Sequence, residues 1–227
     1  MKTPFLAIAA MFAAAAALAA PRGPRASQNH VPESLDGIRA FNPEAANYNH
    51  IALVNVADAI DAADWARATT YAVSLLQINV WTNSIAASVA DRLYADASYT
   101  AKALGNEKAK VGVFLENRPG APRVMAVPGA WSVVNVADLK ADNPPLQVYR
   151  DRVAKCVMKG LAAAGGGGAT LEPFCSLFYG AHDIQGMDKT NIAISPMCYF
   201  PMLEILRSVG GNEILAPVSD GQEEDEE

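Results

Sequence analysis

The sequence predicts an α/β domain with a mixed five-stranded sheet. It places an antiparallel edge strand in that sheet, two helices before the edge, one long helix after it, and an irregular C-terminal subdomain with a closing helix. Three observations carry this reading. Short apolar runs alternate with stretches of helical spacing between residues 51 and 116. Two further strand-like runs, Arg123–Val127 and Trp131–Val136, are separated by a link holding Pro128-Gly129, short enough to make them antiparallel neighbours. After Pro144-Pro145, apolar residues recur at three- and four-residue steps as far as Ala164.

Taken in order, the first element is a leader. Lys2 gives a positive start, Phe5–Leu18 is an uncharged apolar run, and Ala17-Leu-Ala19 is a small-x-small cleavage signal. The run is shorter than the roughly 20 residues needed to span a bilayer, so residues 1–19 read as a signal peptide and the protein as secreted or periplasmic. No later stretch is long and apolar enough to span a membrane once the signal is removed. Residues 20–47 read as an extended arm interrupted by Pro21, Pro24, Pro32 and Pro43. The α/β domain covers 48–212, and an acidic tail covers 213–227.

Within the domain, Ile51–Val56 suits a buried strand. Asp58, Asp61 and Asp64 enrich the first turn of a helix running to about Leu76, where carboxylates favour the free backbone N–H groups. Gln77–Thr82 is expected as a second strand and Ala87–Leu104 as a second helix, stopped by Gly105-Asn106. Val111–Glu116 is a third strand, followed by the turn-forming Asn117–Pro122 and the two strands already named. The long helix presents Leu146, Tyr149, Val153, Cys156, Gly160 and Ala164 on one stripe and ends at Gly165–Gly168. Ala169–Ser195 shows no convincing long element, and Pro201–Val209 is a closing helix before Gly210-Gly211.

Composition narrows the function classes. The chain has 227 residues, 51% hydrophobic and 19% charged, which excludes a disordered protein. Three cysteines are too few for a disulfide-built scaffold. The net charge of −6 belongs to the tail; without its six acids and Lys2 the chain is close to neutral. There is no basic surplus and no basic-aromatic motif, so nucleic-acid binding is not expected. With three histidines in all, a three-histidine zinc site would need His30, His50 and His182 together. His30 falls in the arm and His50 before the first strand. His182-Asp183 suits a turn better than a metal or acid/base pair, because adjacent residues rarely converge on one ion. Cys156 lies on the apolar stripe as a small core residue, and a Cys156–His182 nucleophilic dyad lacks an orienting group. The Gly165–Gly168 run follows a helix, so it sits at a carbonyl-rich end and not in an anion nest. Lys155 and Lys159 share a helix face and read as solvated lysines, with a positive cleft that holds an acidic peptide or the chain's own tail as the alternative.

The element order, with a glycine-terminated long helix feeding an irregular cysteine-bearing segment, resembles the metzincin zinc peptidases, and among them the archaemetzincins. Their pattern is HExxHxxG, three residues, Cys, four residues, Cys-x-Met, seventeen residues and Cys-x-x-Cys, with a zinc histidine before the first cysteine. Laid on this chain without a gap, its glycine falls on Gly166, its second cysteine on Cys175 and its last on Cys198. Arg152-x-x-Lys155 and Asp188 also look like family features. The zinc and catalytic positions are degenerate: Lys159, Gly160, Ala163 and Ala169 stand where the family has histidine, glutamate, histidine and histidine. Thr170, Leu177 and Ser195 replace the first cysteine, the methionine and the third cysteine. Lysine, glycine and alanine supply neither imidazoles for zinc nor a carboxylate for its water.

The resemblance therefore implies a pseudo-peptidase with no cofactor. It implies that Cys175 and Cys198 lie near enough to be candidate disulfide partners in an oxidising compartment. It also implies that Arg123, Val124, Met125, Ala126 and Val127 form an edge strand able to take an unidentified protein or peptide partner by backbone pairing. The expected role is an exported, catalytically inactive binding or structural module. The alternatives are an active archaemetzincin-like zinc peptidase, or another hydrolase, whose ligands lie elsewhere.

Overall fold

The computed structural model describes residues 30–35, 51–76, 80–86 and 110–210. Five strands form one sheet: β1 (Ile51–Val56), β2 (Trp81–Ile85), β3 (Val111–Glu116), β4 (Val124–Val127) and β5 (Trp131–Asn135). Their spatial order is β2-β1-β3-β5-β4; β4 alone runs antiparallel, pairing Val124 with Val134 and Val127 with Trp131. The helices are α1 (Ala62–Leu76), α2 (Leu146–Ala164), the five-residue α3 (Ile184–Asp188) and α4 (Pro196–Gly210). This is the mixed α/β architecture the sequence predicts, antiparallel edge included.

β1 and β3 are central and buried along their whole length, which is why both are uninterrupted apolar runs and not alternating ones. After β1 the chain turns through Ala57 and Asp58, both at positive φ. The Asn55 side chain closes that turn by donating to the Ile60 carbonyl and accepting from the Ile60 N–H. Ile60 is therefore a buried loop residue outside the helix, and Asp58 lies in the turn. Asp61 accepts from Ala63 N–H just ahead of α1, and Asp64 in its first turn pairs with Arg150 of α2 at 2.8 Å.

Two boundaries and one burial differ from the sequence reading. β2 is displaced from Gln77–Thr82 to Trp81–Ile85, and Ala52 pairs with Trp81. As an edge strand it accommodates Thr82, Asn83 and Ser84, whose polarity hides it from hydropathy. The closing helix starts at Pro196, not Pro201. Pro196 takes the first helical position, and Pro201 lies inside on an exposed face where water can satisfy the carbonyl it frees. Leu146, expected on the core stripe, is 55% exposed. Ala87–Leu104, the signal segment, most of the arm, His50 and the acidic tail lie outside the described residues.

Part of the arm is described, and it is anchored. Val31 is buried in the core and its N–H donates to Asp151 Oδ1. His30 Nδ1 lies 2.6 Å from Asp151 Oδ2, Gln147 donates to the Val31 carbonyl, and Arg67 donates to the carbonyls of Pro32 and Glu33.

α2 organises the molecule, packing on β3, β4 and β5, on α1, and on the C-terminal segment. Burial therefore encircles it. Besides the predicted Tyr149, Val153, Cys156, Gly160 and Ala164, its polar residues Asp151, Arg152, Lys155 and Lys159 are buried too. The reading of Lys155 and Lys159 as solvated is overturned, because the irregular segment folds back over the face that a single stripe would leave to water. Among the described residues, no helix is long and apolar enough to cross a membrane.

Candidate functional site

A cavity of about 500 Å³ opens between the C-terminal half of α2 and the segment that follows it. Lys159 and Ala163 reach it from successive turns of α2, and Gly167, Gly168 and Ala169 from the loop beyond. Arg123 and Val124 enter from the start of β4; Leu177, Phe178, Tyr179, Ala181 and His182 close the far side. The glycine loop makes this shape: Gly166 has a φ of +74°, and the N–H groups of Gly165, Gly166 and Gly167 fold back onto Leu161, Ala163 and Ala162. Three of the degenerate positions named from the sequence, Lys159, Ala163 and Ala169, therefore meet at one cavity.

The fourth does not. Gly160 faces the sheet: a Cβ there would sit 2.5 Å from Val113 Cγ1 and 3.1 Å from Val134 Cγ2. Its carbonyl accepts from the Ser132 hydroxyl at 2.7 Å, so this turn of α2 is seated directly on β3 and β5.

Lys159 is 7% exposed and has no hydrogen bond or ion pair with any described residue. Burial lowers the affinity of its amine for a proton; the thiols of Cys156 and Cys175 act the other way, while Arg123 and Lys155 reinforce the lowering. Lys155, one turn earlier, donates to the Met187 carbonyl at 2.9 Å, and its pKa is also lowered, chiefly by burial. Arg123 is committed to the Asp138 carboxylate at 2.6 Å and to the Asn135 carbonyl at 2.7 Å. Nothing in the strand pattern marks Arg123 as a brace between β4 and the cavity; the only sequence signal is a charge at the mouth of an apolar run.

The donor set does not fit the zinc that the archaemetzincin pattern carries. At the cavity an ammonium and two methyl groups stand where three imidazoles would be needed, and an ammonium repels a dication. His182 is the one imidazole lining the cavity, with its side chain 73% exposed and Nδ1 3.4 Å from the Tyr179 carbonyl. Asp183 caps α3 by accepting from Gly186 N–H, the turn role its sequence position suggests. Among the described residues, no group of three or more His, Cys, Asp or Glu converges where a metal ion could sit.

The cysteine positions are also drawn together. Ser195 N–H and Leu177 N–H donate to Cys175 Sγ at 3.3 and 3.4 Å, and Cys198 N–H donates to the Ser195 carbonyl. Thr170 pairs with this segment through Leu177 and Phe178. All three cysteines are thiols in the structure. Cys156 is fully buried and pushed up to about 11 by that burial, and it does not line the cavity that His182 lines. The two do not form a dyad. The other family-like residues meet away from the cavity, where Arg152 grips Asp188 through Nε and Nη2. The edge strand β4 is half-buried at Val124 and Met125 and exposed at Ala126 and Val127.

No family model matches the sequence, and no curated protein matches it. Two solved structures match the fold. One is archaemetzincin from Methanopyrus kandleri, with a TM-score of 0.52 at 16% identity, covering 70% of this chain and 97% of that one. The other is a zinc-dependent peptidase from Methanocorpusculum labreanum, with a TM-score of 0.51 at 12% identity, covering 67% and 99%. A mixed sheet ending in an antiparallel edge strand, crossed by one long helix that leads into a glycine loop and an irregular segment, is thus an archaemetzincin-like fold.

Proposed function

We propose that this chain is an exported, catalytically inactive peptidase-like protein that binds peptide in a retained cleft. The observation that carries the reading is the meeting of Lys159, Ala163 and Ala169 at one cavity, in a fold like that of zinc peptidases. Hydrolysis by a zinc-bound water needs three fixed ligands and a carboxylate to take a proton. These positions offer an amine, two methyl groups and, at Gly160, no side chain at all. Binding asks for less. β4 is a sheet edge beside the cavity, and Val124 belongs to both, so an extended peptide paired to β4 would lead into the cleft. Export follows from the leader of residues 1–19. In an oxidising compartment Cys175 and Cys198 would pair; closing that loop contributes about 3 kcal/mol in the chain-entropy model.

Metal analysis combined with a general peptidase assay on the purified protein tests the central claim. The expected result is less than stoichiometric zinc and no cleavage. Tightly held zinc at one equivalent, or hydrolysis lost on chelation, would overturn it. Fractionation of expressing cells tests export, and mass measured with and without reductant tests the disulfide.

A further inference from the structure

We propose that the cavity beside Lys159 is a carboxylate site that takes the free C-terminus of a peptide ending in an apolar residue, with the Lys159 amine as counter-ion. The inference rests on the reading of the cleft as a peptide-binding one and names what the cleft selects.

Other buried charges along α2 are matched. Arg152 holds Asp142 and Asp188, Lys155 holds the Met187 carbonyl, and Asp151 accepts from Val31 N–H and Gln147. Lys159 is the exception: more than nine-tenths buried, directed into a cavity, and unpaired among the described residues. A cation largely withdrawn from water and without a partner either bears a desolvation penalty or gives up its proton. Neither is an obvious resting arrangement for a purely structural lysine, and an incoming anion relieves both.

The groups that face Lys159 support an anion. Arg123 approaches from β4, Lys155 and Cys156 lie on its own helix, and Cys175 approaches from the irregular segment. No carboxylate is among them, and Asp138 is already held by Arg123. On the rim, the N–H groups of Gly168 and Ala169 have no acceptor among the described residues. The remaining walls are mostly apolar, with Val124, Ala163, Leu177 and Phe178 facing the same space and Tyr179 and His182 at its far side. An unpaired cation set among mostly apolar walls matches a residue that carries a carboxylate and an apolar side chain together, which is a C-terminal residue. An internal Asp or Glu offers the carboxylate without the apolar group. The cavity volume lies within the range of small-ligand sites.

The test uses the full chain and an acetylated hexapeptide of alternating threonine and valine that ends in leucine. The free acid is expected to bind at least about tenfold more tightly than its C-terminal amide. Lys159→Met should bring the acid down to the affinity of the amide and leave the amide unchanged, while Lys159→Arg should keep part of the preference. The preference for the acid should also fall as pH rises, and be lost before the ordinary lysine value of about 10.4 is reached, as the amine loses its proton. A thermal melt of Lys159→Met checks that it folds. Equal binding of acid and amide, an unaffected Lys159→Met, or no binding of either peptide would overturn the carboxylate site. Equal binding of an amidated peptide with an internal glutamate would overturn the choice of the C-terminus. Zinc-dependent cleavage of the peptide would instead bring down the reading beneath it.

Discussion

Arg152 uses every donor it has. Nε and Nη2 reach Asp188, Nη1 and Nη2 reach the two oxygens of Asp142, and Nη1 also reaches the Leu139 carbonyl, in a side chain only 2% exposed. Removing it strands two carboxylates and a carbonyl. Both carboxylates stay open to water, so Arg152→Ala should cost less than a stranded buried charge would, about 1.5–3 kcal/mol in chemical denaturation. Arg152→Lys should recover little, because an ammonium has no planar fork to serve both carboxylates. Lys159 gives the opposite sign. Its amine binds a proton less tightly in the folded chain than in the unfolded one, so protonation favours unfolding. Lys159→Met should raise the melting temperature near neutral pH, and the gain should shrink as pH rises towards the unfolded lysine value of about 10.4. A gain independent of pH would show that the amine carries no such penalty.

At the scale of elements, α2 is held by close approach to the sheet. The Cβ of a Gly160→Ala variant would press on Val113 Cγ1, a branched side chain with little room to retreat. The variant should lose about 1–3 kcal/mol despite alanine's better helix propensity, and Gly160→Glu should lose more. Placing there the glutamate of the archaemetzincin pattern would thus damage the helix seat. The strands that hydropathy reveals, β1 and β3, are those buried on both sides, where pattern and environment agree. β2 was misplaced because an edge strand can be polar. The polar face of α2 was misjudged for a different reason: its cover comes from residues 170–195, whose path no local periodicity records. The glycine run does mark where α2 ends and the loop begins. The cavity itself, and the isolation of Lys159 within it, needed three dimensions.

At the scale of the whole molecule, acid should be its weakness. Arg152 holds the Asp142 carboxyl below its ordinary range, mainly through their hydrogen bonds. That contribution is complete above the unfolded aspartate value of about 3.9 and is lost as pH falls through the lower folded one. Melting temperatures followed from pH 7 to pH 2 should fall most steeply below about pH 4, and Asp142→Asn should flatten the descent. A variant with the same steep descent would place the acid-sensitive group elsewhere. The grip that this experiment probes lies seven residues before Lys159, roughly 10 Å away along the helix axis. It joins α2 to the chain on both sides of it, at Asp142 and Asp188, with no contribution from the cavity. Changes at the cavity and changes at this grip should therefore separate, the first moving what the cleft binds and the second moving how firmly the chain folds.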